Sequence, residues 1–355
     1  MTTEEIKIRH LTNQYLLSPA DKLTVVRDLC GVQAQFMANA MHALKIRCTD
    51  YDETTMSEGL VKNWTVRGTV HIFAESDLPL FLHCSNGKSY RRNEWNGYTF
   101  WNQREQWALT PERQKYLSDV ILCALADKPH TREELKQLCR EKGMTDSEES
   151  SMFDQWGGGI RELCERGFMN YAVRHHAAPE KKVYIASPPF TPIPEAEANL
   201  EIARRYFTNF GPATVHDAMY FLAATQKQVK DWLADLPVRE TEANGKTYYY
   251  IENGKTYDQG IPPCLFLAGF DQLMLGYQKK ESLYLAPEHL RGIFNLAGIV
   301  MPSVLLHGRV VGKWKKKNRR LTVELFTKIG KRDLAHIKKK AETLWEDLSS
   351  LEIIS

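Results

Sequence analysis

Two glutamines, Gln33 and Gln35, flank Ala34 directly after Gly31-Val32. Near neutral pH an amide is no general base, but its carbonyl can hold and orient a water and its dipole can stabilise positive charge. On a continuous helix positions i and i+2 point about 200° apart, so the two side chains converge only where the backbone is extended or turned, as Gly31 permits. Two solvent-facing amides near a helix end are the competing reading. A second constellation, Arg67-Gly68-Thr69-Val70-His71, offers Arg67 for bidentate phosphate pairing and Thr69 and His71 as further polar contacts, against a satisfied strand histidine as the alternative. No P-loop, dinucleotide fingerprint, HExxH helix or GxSxG elbow occurs, which removes most enzyme classes. His175 and His176 have no third ligand nearby, so neither a metal nor another cofactor is expected.

A polyanion-binding surface is the third signal. Between Arg309 and Lys340 thirteen Lys and Arg face two acids, Glu324 and Asp333, although the whole chain carries only +3, so the remainder is net acidic. Arg309, Lys313, Lys315, Lys316, Lys317, Arg319 and Arg320 form its densest part and are the candidate DNA-binding residues. Such a block neutralises phosphates and releases counterions. A solvated basic surface is the alternative. The seven cysteines are scattered without a CxxC pair, which points to free, mostly buried thiols. With no apolar run near 20 residues and no leader at MTTEEIKIRH, a soluble cytoplasmic protein with no membrane partner is expected.

At 355 residues, more than one packed unit is expected. The elements that would position these residues recur in one order. Leu23, Val26, Leu29 and Cys30 have helical spacing up to Gly31, and residues 64–73 resemble two strands hinged at Gly68, giving a first winged-helix module over 1–110. In 111–194 a helix opens at Thr110-Pro111, and a second starts at a Thr131/Glu134 capping box. A third ends at Gly167, and a wing hairpin has its tip at 174–181. In 195–258 helices Glu195–Phe210 and Thr225–Leu236 precede a hairpin turning at Asn244-Gly245. Short glycine-broken strands over 259–330 suggest a small β-barrel, and 331–355 a terminal helix. The fold class is therefore α+β: three tandem winged helix-turn-helix modules, a small C-terminal β-barrel and a terminal helix.

Taken together, Gly31-Val32-Gln33-Ala34-Gln35, Arg67-Gly68-Thr69-Val70-His71, Gly269-Phe270-Asp271-Gln272-Leu273-Met274-Leu275-Gly276-Tyr277 and the run from Gly298 to Trp314 resemble the winged-helix bacterial DNA glycosylases of the AlkZ and YcaQ type, over nearly the whole chain. The resemblance implies three winged helices with a small barrel around DNA, and a catalytic glutamine–aliphatic–glutamine motif at Gln33, Ala34 and Gln35. The YcaQ-type branch has aspartate in the third place, so the amide here leans toward the AlkZ-like branch. It implies an enzyme acting on double-stranded, nucleoid DNA with alkylated bases or crosslinks; with no lysine or proline evidently placed for a Schiff base a monofunctional enzyme, expected as a monomer, follows, and amide chemistry gives Gln35 the positioning of water and Gln33 the sugar or its partner amide. Arg67, Thr69 and His71 become possible lesion or phosphate contacts. The aromatics Trp95, Tyr98, Phe100, Trp101 and Trp107 become a stacking or wedge surface, with core packing as the alternative. A tandem winged-helix regulator without catalysis competes. It would need a recognition helix for base edges, and Glu162 and Glu165 suit the third helix of the second module poorly for facing phosphates.

Overall fold

The structure, a computed structural model, describes residues 1–65, 68–82, 107–154, 157–173 and 182–354. It divides into two compact units, one built from Met1–Tyr51 with Ile202–Ser355 and the other from Asp52–Glu201. Expected module boundaries therefore run consecutively where the observed division does not: one unit is assembled from both ends of the chain.

The first stretch of the split unit carries helix α1 (Thr3–Asn13), helix α2 (Lys22–Asp28), a two-residue strand β1 (Val32–Gln33) and helix α3 (Met37–Lys45). Thr2 and Glu5 close α1 with a capping box, and Asp21 caps α2 by accepting from Thr24 N. The buried face of α2 is Val25, Val26, Leu29 and Cys30, whereas Leu23, expected on that face, is exposed. Val25 supplies the apolar position one step round the helix.

The Asp52–Glu201 unit holds β2 (Leu60–Trp64), β3 (Val70–Ala74), α4 (Leu78–Phe81), α5 (Pro111–Asp127), β4 (His130–Thr131) and α6 (Arg132–Glu141). It continues through α7 (Asp146–Met152), α8 (Gly158–Glu165), β5 (Met169–Tyr171) and β6 (Val183–Ala186). Its strands run in the order β3-β2-β5-β6-β4. The Thr110 cap with Pro111 at the first turn, the Thr131/Glu134 box and the positive φ of Gly167 all appear where the residues dictate. Helix α7, which the sequence reading lacks, has its own Thr145/Glu148 capping box. Leu117, Ile121, Leu135, Ile160, Leu163 and Tyr184 lie in the core of this unit. The expected wing is β5 against β6, in register Tyr171 with Tyr184, and its tip lies outside the described residues.

Helix α9 (Glu195–Asn209) leads into the second stretch of the split unit, followed by α10 (Val215–Leu222), α11 (Gln226–Asp235) and the hairpin β7 (Arg239–Ala243) and β8 (Lys246–Tyr250). Asn244 and Gly245, both at positive φ, make the expected tight turn. Then come β9 (Cys264–Leu267), α12 (Gln272–Leu275), α13 (Leu290–Ile293), β10 (Ser303–Leu306), β11 (Arg309–Lys317), β12 (Arg320–Leu325), α14 (Lys331–Leu344) and β13 (Ser350–Ile354). The expected barrel is instead an open sheet ordered β13-β12-β11-β10-β9, with no pairing among the described residues between its outer strands. Ile337, Ala341 and Trp345, from α14 and its end, pack with Phe266, Trp314 and Val323 of the strands, so a helix covers one face of the sheet. The expected terminal helix stops at Leu344. The last residues add β13 in parallel beside β12, where Leu351 and Ile353 pack on the core.

Among the described residues no helix is long and apolar enough to cross a membrane. The six described cysteines are free thiols, all buried except Cys123.

Candidate active site

The glutamine segment exists because α2 stops abruptly. Cys30 and Gly31 both take positive φ, and the Gly31 N–H donates to Val26 O at 2.7 Å, the outer bond of a Schellman-type stop. The chain leaves this cap extended as β1 and re-enters a helix at Met37. Between the two helices Ala34 is fully buried, Gln33 is 8% exposed and Gln35 is exposed. One amide is thus withdrawn from water while its neighbour faces it. No described residue hydrogen-bonds the Gln33 side chain, so its amide retains its full donor and acceptor capacity.

A distant segment buttresses this turn. Phe36, next to Gln35, stacks on Phe270 with ring centroids 5.8 Å apart. At Gly269 an added Cβ would lie 2.6 Å from Asn39 Nδ2, so only glycine lets this strand end approach the start of α3 so closely. Next in sequence, Asp271 receives Arg47 in a bidentate pair, Nη2 to Oδ1 at 2.6 Å and Nη1 to Oδ2 at 3.0 Å, with neither side chain exposed. Arg47 also donates to Gln14 O and Ala43 O, and Asp271 accepts from Leu273 N and Ala268 N. Every nitrogen and oxygen of the pair thus has a partner, with four of the five guanidinium N–H groups donating, which is the condition for a buried ion pair to hold geometry. Sequence reasoning passed over Arg47, Phe36 and Asn39. The one signal available was an arginine standing between Ile46 and Cys48 in an apolar helix end.

Two histidines of the same unit are structural. His10 contacts Tyr284 Oη and Pro212 O, and His42 contacts Phe266 O at 2.8 Å and stacks on Trp345. Burial pushes both imidazoles down to about 4, which keeps them neutral.

The basic block divides by strand alternation. On β11 and β12, Lys315, Lys317, Arg319, Arg320 and Arg309 are exposed, whereas Trp314, Leu321 and Val323 turn into the core. Lys313 is paired with Glu324 at 2.9 Å and Lys316 with Asp347 at 3.6 Å. Arg309, Lys315, Lys317 and Arg320 have no ion-pair partner among the described residues. Seven candidate cations thus reduce to five that face solvent, of which Arg319 donates Nε to Asp347 O.

The other unit holds the second constellation. Arg67 lies outside the described residues, as do Trp95, Tyr98, Phe100, Trp101, His175 and His176. Thr69 is half-buried. His71, considered as a lesion or phosphate contact, is fully buried on β3, with Nδ1 2.9 Å from Thr69 O and 3.1 Å from Thr65 Oγ1. The carbonyl requires Nδ1–H to donate, so the ring is bonded to Thr69 and Thr65 beside the ends of β3 and β2. Trp107 packs against the core of the unit. Glu162 and Glu165 of α8 turn inward to Arg166 and Arg161, and Arg161 lies over the Trp64 ring at 3.6 Å. Burial raises both carboxyls to about 7. The objection that these acids would face phosphates therefore falls away.

A turn that sets a water-facing amide beside a buried one thus shares a unit with a cationic hairpin that is only partly paired. Residues 26–346 match the family model described as DNA glycosylase AlkZ-like, and the chain belongs to that family of DNA glycosylases. It is 28% identical over 339 residues to the interstrand DNA cross-link repair glycosylase of Streptomyces sahachiroi, an alignment that covers 89% of this chain and 88% of that one. The solved structure of the Streptomyces sahachiroi DNA glycosylase AlkZ superposes with a TM-score of 0.77 at 22% identity, over 99% of each chain, which shows the α+β fold to be shared.

Proposed function

We propose that this glycosylase is monofunctional and hydrolyses the N-glycosidic bond of cationic alkylated bases, N7-alkylguanine adducts first and interstrand crosslinks by extension, in double-stranded DNA and as a monomer. Residues 1–110, 111–194 and 195–258 would act as winged-helix DNA-binding modules, as their helix and hairpin order suggests. The observation that carries the reading is the Gln33-Ala34-Gln35 turn with its asymmetric burial.

The chemistry suits two amides. Glycosidic cleavage passes through an oxocarbenium-like sugar, and a base already carrying positive charge leaves without protonation. What remains is to place a water at the anomeric carbon and to stabilise the sugar cation with fixed dipoles. The exposed Gln35 carbonyl is placed to orient the water, and the buried Gln33 dipole acts where screening by solvent is weakest. Arg309, Lys313, Lys315, Lys316, Lys317, Arg319 and Arg320 are proposed to contact the DNA backbone, with the four unpaired cations, Arg309, Lys315, Lys317 and Arg320, contributing most. The name of the Streptomyces relative supports crosslinked DNA as a substrate.

The test is single-turnover base release from a duplex with one N7-methylguanine, for the native chain, Gln33→Ala and Gln35→Ala, with DNA affinity measured in parallel. Loss of about 10²–10³ in rate at unchanged affinity is expected for each variant. Native rates in both variants would remove the motif from catalysis. Borohydride in the same reaction should trap no protein–DNA adduct, and a trapped adduct would overturn the monofunctional assignment.

A further inference from the structure

Helix α3 opens on a residue that helix chemistry does not call for. Its N-cap is Phe36, which offers no side-chain acceptor to the first turn. In the same unit α1, α2, α10 and α11 each open on a threonine or aspartate whose side chain accepts a backbone N–H. A hydrophobic staple does not account for the phenylalanine either, because that needs an apolar residue one place earlier, where Gln35 stands. Nor is the ring there to be buried, since Phe36 is 47% exposed.

The ring it rests on is held against a local preference too. Phe270 has φ 57°, in the left-handed region that disfavours every residue with a Cβ. Both of its chain neighbours are pinned: Gly269 lies against Asn39 of α3, and Asp271 is held by Arg47. Phe270 is itself buried and stacks on Phe36 with the rings inclined by 29°. Two phenylalanines, each at a backbone position that favours another residue, thus meet in one stack, its inner ring fixed in the core and its outer ring at the surface. Unfavourable local choices that converge on one place mark a function.

The outer ring stands beside the amide proposed to orient the water. Gln35 and Phe36 are consecutive, lie in the bend between β1 and α3, and are both exposed. Consecutive Cα atoms are about 3.8 Å apart, so a nucleotide whose anomeric carbon lies at Gln35 has its base within reach of Phe36. That base is flat and, in an N7-alkylguanine, cationic. A phenyl face attracts both features, the plane by stacking and the charge through the ring quadrupole.

We propose that Phe36 is the specificity residue of this site, the face on which the positively charged base stacks before it leaves. The role rests on the N7-alkylguanine reading above and deepens it: a base of the same shape without the charge is held less well. The charge passes from base to sugar as the bond breaks, so the attraction is greatest in the bound state and serves binding more than rate. Loss of Phe36 therefore has the reverse signature to loss of either glutamine, weaker binding of the lesion at a nearly unchanged rate of cleavage.

The experiment uses two duplexes that resist cleavage because the target sugar is a 2′-fluoroarabinose. One carries N7-methylguanine, cationic at mildly acidic pH, and the other neutral 7-deaza-7-methylguanine. Affinity for both, single-turnover base release at saturating enzyme from an ordinary N7-methylguanine duplex, and thermal unfolding are measured for the native chain, Phe36→Leu and Phe36→Tyr. The native chain should bind the cationic duplex about 10-fold more tightly than the neutral one. Phe36→Leu, apolar but without a π face, should reduce that preference to within about 2-fold while release at saturation stays within about 3-fold of native, and Phe36→Tyr should keep the preference. A preference undiminished in Phe36→Leu, or lost equally in Phe36→Tyr, would overturn the role and leave the glutamine mechanism intact. A native chain that releases base yet shows no preference would do the same. No base release by the native chain from the ordinary duplex would overturn the proposed reaction, and the role of Phe36 with it.

Discussion

The two units bury charge in opposite ways. In the split unit Arg47 meets Asp271 from a segment more than two hundred residues away, and backbone groups from both sides complete the coordination. In the Asp52–Glu201 unit the pairs Arg161–Glu165 and Arg166–Glu162 lie one turn apart on the same helix, and burial still lifts both carboxyls to about 7. A pair between distant segments fixes where they meet, and here it fixes the segment that supports the glutamine turn. The pairs within one helix also reach other elements, Gln114 of α5 donating to Glu162 and Arg161 covering the Trp64 ring, but they join no segments so far apart and leave their acids raised to about 7. Buried charge therefore ties two distant segments in one unit and leaves raised carboxyls in the other.

Breaking the long-range pair should give the largest effect. Arg47→Ala leaves Asp271 buried without its counter-charge, at a cost of about 3–5 kcal/mol in denaturant unfolding, with base release lost at temperatures where the native chain is active. Adding Asp271→Leu should recover only part of that cost, because Leu273 N and Ala268 N then lose their acceptor. An Arg47→Ala cost below about 1 kcal/mol would show the pair to be ornamental and end the contrast.

A pH experiment sharpens it at intermediate size. Glu162 and Glu165 have folded pKa values raised above the unfolded one, so the native state binds the extra protons and this contribution to stability is lost as pH rises through 7. His10 and His42 are depressed to about 4, so the native state binds fewer protons and stability is lost as pH falls from about 6.5 toward 4. Hydrogen exchange corrected for intrinsic rate should show protection of α8 falling by on the order of 1 kcal/mol between pH 6 and 7.5, while α1 and α3 lose protection only on acidification. Glu165→Gln should flatten the α8 trend. Parallel trends in both units would remove the distinction.

Sequence made legible what depends on local chemistry. The Thr131/Glu134 box, the Asn244-Gly245 turn and the Gly31 stop each need only a few neighbouring residues, and each stands where expected. The glutamine pair was visible for the same reason. What escaped depends on partners far along the chain. Asp271 shows no reason in sequence to seek Arg47, and β13 pairs in parallel across the whole of α14. The barrel expectation failed because spacing of short strands gives their number but not whether the outer two meet. His71 stayed open between two readings because one histidine on a strand reads alike whether it faces solvent or bonds neighbouring threonines.

The smallest effect concerns surface charge, where the same distinction between satisfied and unsatisfied groups recurs within one hairpin. Lys313 and Lys316 already have carboxylates, so DNA binding must break those pairs before it gains from them. Lys315 and Lys317 face solvent without a counter-charge and give their full electrostatic effect to a phosphate. Lys315→Ala with Lys317→Ala should reduce the slope of log Kd against log salt by about 2, independent of DNA sequence, since each phosphate contact contributes about 0.9. Lys313→Ala with Lys316→Ala should change it by clearly less, although the formal charge removed is identical. Equal changes from the two double variants would mean that DNA draws Lys313 and Lys316 from their carboxylates at no cost, and that existing ion pairs do not decide which cations touch the backbone.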